Sequence, residues 1–287
     1  MTLRMFEYET GEEVPITFST FPGGEEHVRI EQPLSGRNYI IQSRLTSSVW
    51  VMRLLLLDAA INHNYPDALY TLQLPYLPYA RQDRVCNEGE ANGVEVFCYN
   101  ILDQLKSCDN IRVVDVHSPA GARAVVLEGI TSFYHQADVL LQWEAFYSFA
   151  NLNQCVLVAP DAGALHKTEE VADTLCLDMI AAKKVRDPLT TKIVSTTIDA
   201  EIDPDCHYLI VDDICDGGRT FIELANVLKE KGANHLHLYV THGIFSAGFA
   251  ELSKYFDTIW TTNSFTDRRP MVYHNTEIFT FDIFSIM

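Results

Sequence analysis

Two adjacent acids, Asp212 and Asp213, stand where a short apolar run, His207 to Val211, meets the glycine-bearing turn Asp216-Gly217-Gly218-Arg219-Thr220. Vicinal carboxylates can accept hydrogen bonds from the hydroxyls of a sugar ring. The N–H groups of a glycine turn and of the helix start behind it face an anion. The spacing of Phe221, Leu224, Ala225 and Leu228 predicts that helix, and Gly232 ends it. Strand, acids, turn and helix together read as a site for a sugar phosphate. An acidic loop in an ordinary α/β domain has the same local pattern, so the segment alone leaves both readings open.

Other residues bear chemistry of a compatible kind. Arg81 and Gln82 follow the apolar run Leu69 to Leu74 and a Pro-Tyr-Leu-Pro-Tyr turn. A guanidinium fork there suits a polyphosphate, and a surface ion-pair cluster with Asp83 and Arg84 is the plain alternative. Lys184 and Arg186 alternate within Ala181 to Thr190, a polar run that reads as a mobile loop. Both cations point the same way if the segment is extended. His117 follows Asp115 at an expected strand end, and Asp161 lies in Pro160-Asp161-Ala162-Gly163. The absence of a GxxxxGK[ST] run disfavours a Walker-type ATPase or kinase.

Strand and helix patterns alternate around these residues. Strands are expected at Asn38 to Gln42, Leu69 to Leu74, Ile111 to Asp115, Gln154 to Ala159, His207 to Val211 and Leu236 to Thr241. Helices are expected near Ser48 to Asn62, Gly93 to Leu105, Leu165 to Leu175 and Thr220 to Lys231. The alternation predicts an α/β fold of two tandem doubly wound units with parallel sheets, each of roughly 140 residues. The aromatic stretch Trp143 to Phe149 is the expected joint.

Composition narrows the function. The 287 residues carry 39 acids against 21 Lys and Arg, a formal charge of −18. Such a surface repels nucleic acid and anionic membrane. A phosphate-handling enzyme with that field needs local cations or a divalent metal, which favours Mg²⁺. Seven cysteines show no CxxC pair or zinc-like spacing, and neither a signal segment nor an 18-residue apolar span appears. The expectation is a reduced, cytoplasmic protein.

In the order Phe21 to Glu25, Tyr79 to Arg84, Asp115-Val116-His117-Ser118, Pro160 to Gly163, Lys184-Val185-Arg186, the Asp212 segment and Thr241-His242-Gly243-Ile244-Phe245-Ser246, the chain resembles the ribose-phosphate pyrophosphokinases. More broadly, it resembles the type I phosphoribosyltransferases. The resemblance implies two phosphoribosyltransferase-like domains, residues 1–146 binding ATP and residues 147–287 binding the ribose phosphate. It assigns Arg81 and Gln82 to ATP, with Phe21 and Glu25 approaching the adenine from a neighbouring subunit of a homo-oligomer built from dimers. It assigns His117 and Asp161 to Mg²⁺, and Lys184 and Arg186 to the transition state. Asp212 and Asp213 would hold the ribose hydroxyls, while Asp216, Gly217, Gly218, Arg219 and Thr220 would hold the 5-phosphate. The implied reaction moves a pyrophosphoryl group from ATP to the anomeric hydroxyl and releases AMP.

Two departures matter. Gly23 stands where the family has an acid, which puts the adenine contact in question. The phosphate turn of the family reads Asp-Thr-Gly/Ala-Gly-Thr; here Gly217 replaces the threonine and Arg219 replaces the second glycine. A lost hydroxyl and an added cation suit a phosphate that continues into another group. That makes ADP-ribose the expected acceptor, giving ADP-ribose 1-pyrophosphate for NAD salvage, as in a divergent phage branch that this chain resembles. Ribose 5-phosphate, giving phosphoribosyl pyrophosphate, is the alternative. A non-catalytic regulatory subunit is a further one, which the retained Lys184, Arg186, His117, Asp161, Asp212 and Asp213 argue against.

Overall fold

The computed structural model describes residues 3–126, 131–186 and 193–287. The chain divides into two compact units, Met1–Tyr134 together with Met287, and His135–Ile286. In the first unit, strands β1 (Leu3–Glu7), β2 (Glu13–Val14), β3 (Ile16–Thr20), β4 (Glu26–Ile30) and β5 (Asn38–Ser43) precede helix α1 (Ser48–Asn64). Then come β6 (Leu69–Gln73), α2 (Gly93–Asn100), β7 (Cys108–Val114), α3 (Pro119–Val126) and β8 (Thr131–Tyr134). The sheet order is β2-β1-β5-β6-β7-β8, with β5 to β8 parallel and β1 and β2 forming an antiparallel edge.

The β3–β4 hairpin stands apart from that sheet and is anchored on α1. Arg53 of α1 donates to Glu26 at 2.5 Å and lies 4.6 Å from the Trp50 ring centroid, while Phe18 packs edge-on against Trp50 at 5.7 Å. Asp58 reads as polar in the sequence but faces inward, only 3% exposed. It accepts hydrogen bonds from the Tyr70 hydroxyl and from the Lys106 and Ser107 N–H groups. A buried carboxylate with three donors is satisfied, and it pins α1 to β6 and to the approach to β7.

The second unit begins with α4 (Gln136–Gln142) and α5 (Glu144–Leu152). It continues through β9 (Cys155–Ala159), α6 (Leu165–Leu175), β10 (Asp178–Arg186), β11 (Ile193–Ile198), β12 (His207–Cys215), α7 (Arg219–Glu230), β13 (His235–Gly243), β14 (Thr258–Thr262), β15 (Met271–Tyr273) and β16 (Thr276–Phe281). The sheet order is β11-β10-β9-β12-β13-β14-β16-β15. The six inner strands are parallel, and β11 and β15 are antiparallel edges. Tyr208 to Val211 are buried without alternation, as expected for a parallel strand covered on both faces. Helix α7 buries Phe221, Leu224, Ala225 and Leu228, and Gly232 at φ +107° ends that stretch of chain.

Three expectations need correction. Trp143 to Phe149 is not a joint: Trp143 and Phe146 pack against Trp260 at 5.2 and 5.4 Å and belong to the second core. Aromatic burial, not linker chemistry, governs that stretch, so the division falls at Tyr134/His135 rather than between residues 146 and 147. Ala181 to Arg186 is not a loop but the outer part of β10, in which Ala182 to Arg186 pair with β11. Asp187 to Thr190, the rest of that run, lies outside the described residues. β12 also runs on to Cys215, so the paired acids sit inside the strand rather than beyond it. No helix among the described residues is long and apolar enough to cross a membrane.

Candidate active site

The strand order of the second unit creates the site. From β9 the chain moves outward to β10 and β11, then crosses back to place β12 on the other side of β9. The carboxyl ends of β9 and β12 therefore flank a topological switch point, where open α/β sheets bind ligands. β9 delivers Asp161, and β12 delivers Asp212, Asp213 and the Asp216 turn.

Asp161 is oriented by its own loop, its Oδ1 accepting from the N–H groups of Gly163 and Ala164 at 2.9 and 3.2 Å. Asp212 accepts the N–H of Asp213 at 2.9 Å, while its backbone carbonyl accepts the amide of Gln136 at 2.7 Å. Burial pushes the Asp212 carboxyl well above the ordinary carboxylate range; the charges of Asp213 and, less strongly, Asp161 add to that push. Negative charge gathered at a half-buried carboxyl favours an arriving cation. Asp213 has one already: Lys167 of α6 donates to its Oδ2 at 3.1 Å, with the Asp213 side chain 6% and the Lys167 side chain 26% exposed.

The turn behind the acids is braced from the next strand. Ile244 and Phe245 N–H groups donate to the Cys215 carbonyl, and Ser246 N–H to that of Asp216. Ser246 Oγ also donates to Asp216 Oδ1 at 2.5 Å. The Thr241 to Ser246 segment thus holds the turn in shape. Gly218 has φ +81°, and a Cβ there would lie 3.0 Å from Leu252 Cδ2, so the close approach requires glycine. Gly217 faces open space. The N–H groups of Gly217, Gly218, Arg219 and Thr220 lie at the α7 N-terminus, where first-turn donors lack intrahelical partners, and form a nest. Arg219 itself bends back along the helix to Glu223 at 2.7 Å and is 91% exposed.

Lys184 and Arg186 lie on β10 where it runs past the edge. β10 pairs with β9 only from Asp178 to Ala181, and beyond that Lys184 pairs with Thr196 and Arg186 with Ile193 of β11.

In the first unit, Arg81 and Gln82 form a tight turn with Tyr79 at φ +62°. The Gln82 carbonyl accepts the Val94 N–H, and a Cβ on Gly93 would lie 2.7 Å from Gln82 Oε1, so the turn is locked against the start of α2. His117 is exposed and immediately precedes Ser118 and Pro119, a capping serine and first-turn proline that begin α3. Phe21 and Glu25 face each other at the β3–β4 tip, the Phe21 N–H bonded to the Glu25 carbonyl and the Phe21 ring 53% exposed. Among the described residues no group of three or more His, Cys, Asp or Glu is placed to hold a metal ion.

Lys167 and Gln136 were not singled out in the sequence. A lysine in His-Lys-Thr-Glu-Glu reads as solvated helix surface, and only its helical phase relative to buried Thr168 and Val171 hints otherwise.

A ribose-phosphate pyrophosphokinase of Pyrococcus furiosus is 31% identical over 267 residues, covering 90% of this chain and 90% of that protein. The chain belongs to the ribose-phosphate pyrophosphokinase family. The family's Pyrococcus abyssi member is 32% identical over 259 residues, with 88% and 85% covered. The profile of the phosphoribosyl transferase domain matches residues 128–266, which span the Asp161 and Asp212 segments. The fold matches that of phosphoribosylpyrophosphate synthetase from Mycobacterium smegmatis with a TM-score of 0.77 at 22% identity, covering 93% of this chain and 86% of that one. Family membership makes the chain an ATP-dependent diphosphotransferase.

Proposed function

We propose that the enzyme transfers the β,γ-pyrophosphoryl group of ATP to the anomeric hydroxyl of an acceptor carrying ribose 5-phosphate, releasing AMP. The observation that carries this reading is the pairing of a strand end bearing the half-buried Asp212 and the buried Asp213 with a glycine turn at the start of α7, in a chain of this family. Asp212 and Asp213 accept hydrogen bonds from the ribose 2- and 3-hydroxyls. The nest of Gly217, Gly218, Arg219 and Thr220, with Asp216 behind it, takes the 5-phosphate. Arg81 and Gln82 hold the nucleotide, and the exposed Phe21 with Glu25 contacts the adenine bound to a neighbouring copy in a homo-oligomer built from dimers. The anomeric oxygen attacks the β-phosphorus in line. The bridging oxygen between the α- and β-phosphorus leaves with AMP, and the hydroxyl proton passes to solvent. Lys184 and Arg186 stabilise the charge that develops on the transferred group.

The donor set fits Mg²⁺, a hard cation held by one or two carboxylates and substrate phosphates rather than by a protein cage. Asp161 is a proposed ligand in the second unit and His117 a proposed ligand in the first, each considered within its own unit, and the ion would supply charge neutralisation at the phosphates.

A second, finer reading makes ADP-ribose the acceptor, and the open turn at Gly217 supports it: the space that a threonine would fill is vacant. Mass spectrometry of products from ATP, Mg²⁺ and either ribose 5-phosphate or ADP-ribose tests both readings. Absence of AMP and pyrophosphorylated product with every ribose phosphate refutes the transfer reading. A hundredfold preference for ribose 5-phosphate refutes the finer one.

A further inference from the structure

Arg268 is the outlier among the described arginines of the second unit. It lies in the segment after β14, which leaves the sheet at the same carboxyl edge as Asp161, the Asp212 turn and the Phe245 loop. Its guanidinium carbon sits 5.1 Å from the Phe245 ring centroid and 4.8 Å from that of Phe249. Its Nε is buried without a hydrogen-bond partner, and it has no carboxylate partner among the described residues. Arg4, Arg53 and Arg219 all have one. Burial also lowers its pKa, the mark of a cation held partly out of water with no carboxylate to offset the loss.

The platform beneath it is built rather than incidental. Phe245 adopts φ +49°, uncommon for a phenylalanine, and its ring folds so closely over Gly243 that a Cβ there would lie 2.2 Å from Cε2. The same residue's N–H bonds the Cys215 carbonyl at the root of the phosphate turn. Leu252, in contact distance of Gly218, belongs to the same apolar cluster as Phe245 and Phe249. The rings that carry Arg268 are therefore mechanically continuous with the turn assigned to the 5-phosphate. A guanidinium stacked on rings keeps its planar fork available for a phosphate.

We infer that Arg268 is a specificity-determining residue that binds the part of the acceptor lying beyond the 5-phosphorus, a second phosphate joined to the first through an anhydride. The inference rests on the assignment of the Asp216 turn to the 5-phosphate. It gives the widened turn a partner: space at Gly217 admits the continuation, and Arg268 neutralises it. Arg219, already bonded to Glu223, is not needed for that role.

The readout is the ratio of KM for ADP-ribose to KM for ribose 5-phosphate, compared between the parent and Arg268→Gln and Arg268→Lys. Dissociation constants for the two acceptors are measured by calorimetry without ATP. The ratio is expected to rise at least tenfold in Arg268→Gln, and less in Arg268→Lys, which keeps the charge and loses the fork. An unchanged ratio in both variants, with only a lowered melting temperature, overturns the inference and leaves Arg268 as packing. A parent that binds ribose 5-phosphate and not ADP-ribose overturns it too. If neither acceptor is pyrophosphorylated, the transfer reading fails by itself, and the ratio of dissociation constants still decides on Arg268.

Discussion

Replacing Lys167 with methionine removes the ammonium and keeps most of the side-chain volume, so the Asp213 carboxylate loses this cation at its buried strand position. Breaking a buried ion pair from one side costs roughly 3–5 kcal/mol. The structure argues for that range, since the Asp213 side chain is 6% and the Lys167 side chain 26% exposed, so water cannot take over the lost contact. A carboxylate that has lost its cation can take up a proton, which caps the cost at about 1.4 kcal/mol per pH unit above ~3.9, or about 5 kcal/mol at pH 7.5. At about 2–4 °C per kcal/mol for a chain of this size class, the melting temperature falls by roughly 6–20 °C at pH 7.5. The cap drops to about 2 kcal/mol at pH 5.5, so the deficit must shrink as the solution is acidified. Thermal melting followed by circular dichroism at both pH values provides the assay, with Lys167→Met/Asp213→Asn closing a double-mutant cycle. A fall of under ~2 °C at pH 7.5, a deficit independent of pH, or a double variant no better than the single would refute the reasoning.

Three other outcomes are expected. Gly217→Thr should fold like the parent, since a Cβ there meets nothing within 4 Å, and the hydroxyl should lower KM for ribose 5-phosphate by about tenfold, the worth of one hydrogen bond to a charged group; an unchanged KM argues against the turn as the phosphate site. Lys184→Ala should lower kcat for AMP release by roughly 10²–10³, and a loss below tenfold would remove Lys184 from the transition state. Burial holds the His237 imidazole down to about 3, so the unfolded chain takes up a proton near 6.5 that the folded chain refuses. Stability from this group is complete above pH 6.5 and falls by about 2 kcal/mol by pH 5. His237→Gln has no such proton to gain, so its melting temperature should approach the parent's as the pH drops from 7.5 to 5, and a constant gap would count against this.

How much of this was legible in the sequence depends on the range of the interaction. Local periodicity placed α7 and α6 within a residue or two, because one buried stripe sets each helix. The continuous apolar runs of β9, β12 and β13 stood out for the same reason, being covered on both faces. The β3–β4 hairpin was missed because its strands are half-exposed and rest on α1 rather than on a sheet. Trp143 and Phe146 were misread because a linker and a core aromatic differ only in what packs on them, here Trp260 and Tyr239 from far along the chain. The acids of the site declared themselves as neighbours, whereas Lys167 acquires its role from a partner 46 residues away. Arg268 was hidden likewise: its neighbours in the chain are polar, and the rings beneath it come from another loop.

The outer half of β10 has a mechanical consequence. Ala182 to Arg186 and their partners in β11 hang past the last rung shared with β9, as a cantilever clamped at one end. Bending such an arm towards the mouth of the crevice ruptures none of the rungs that hold β9, β12 and β13 together. Hydrogen-bonded rigidity is thus concentrated in the inner strands, and the outer rungs of β10 and β11 depend on each other alone.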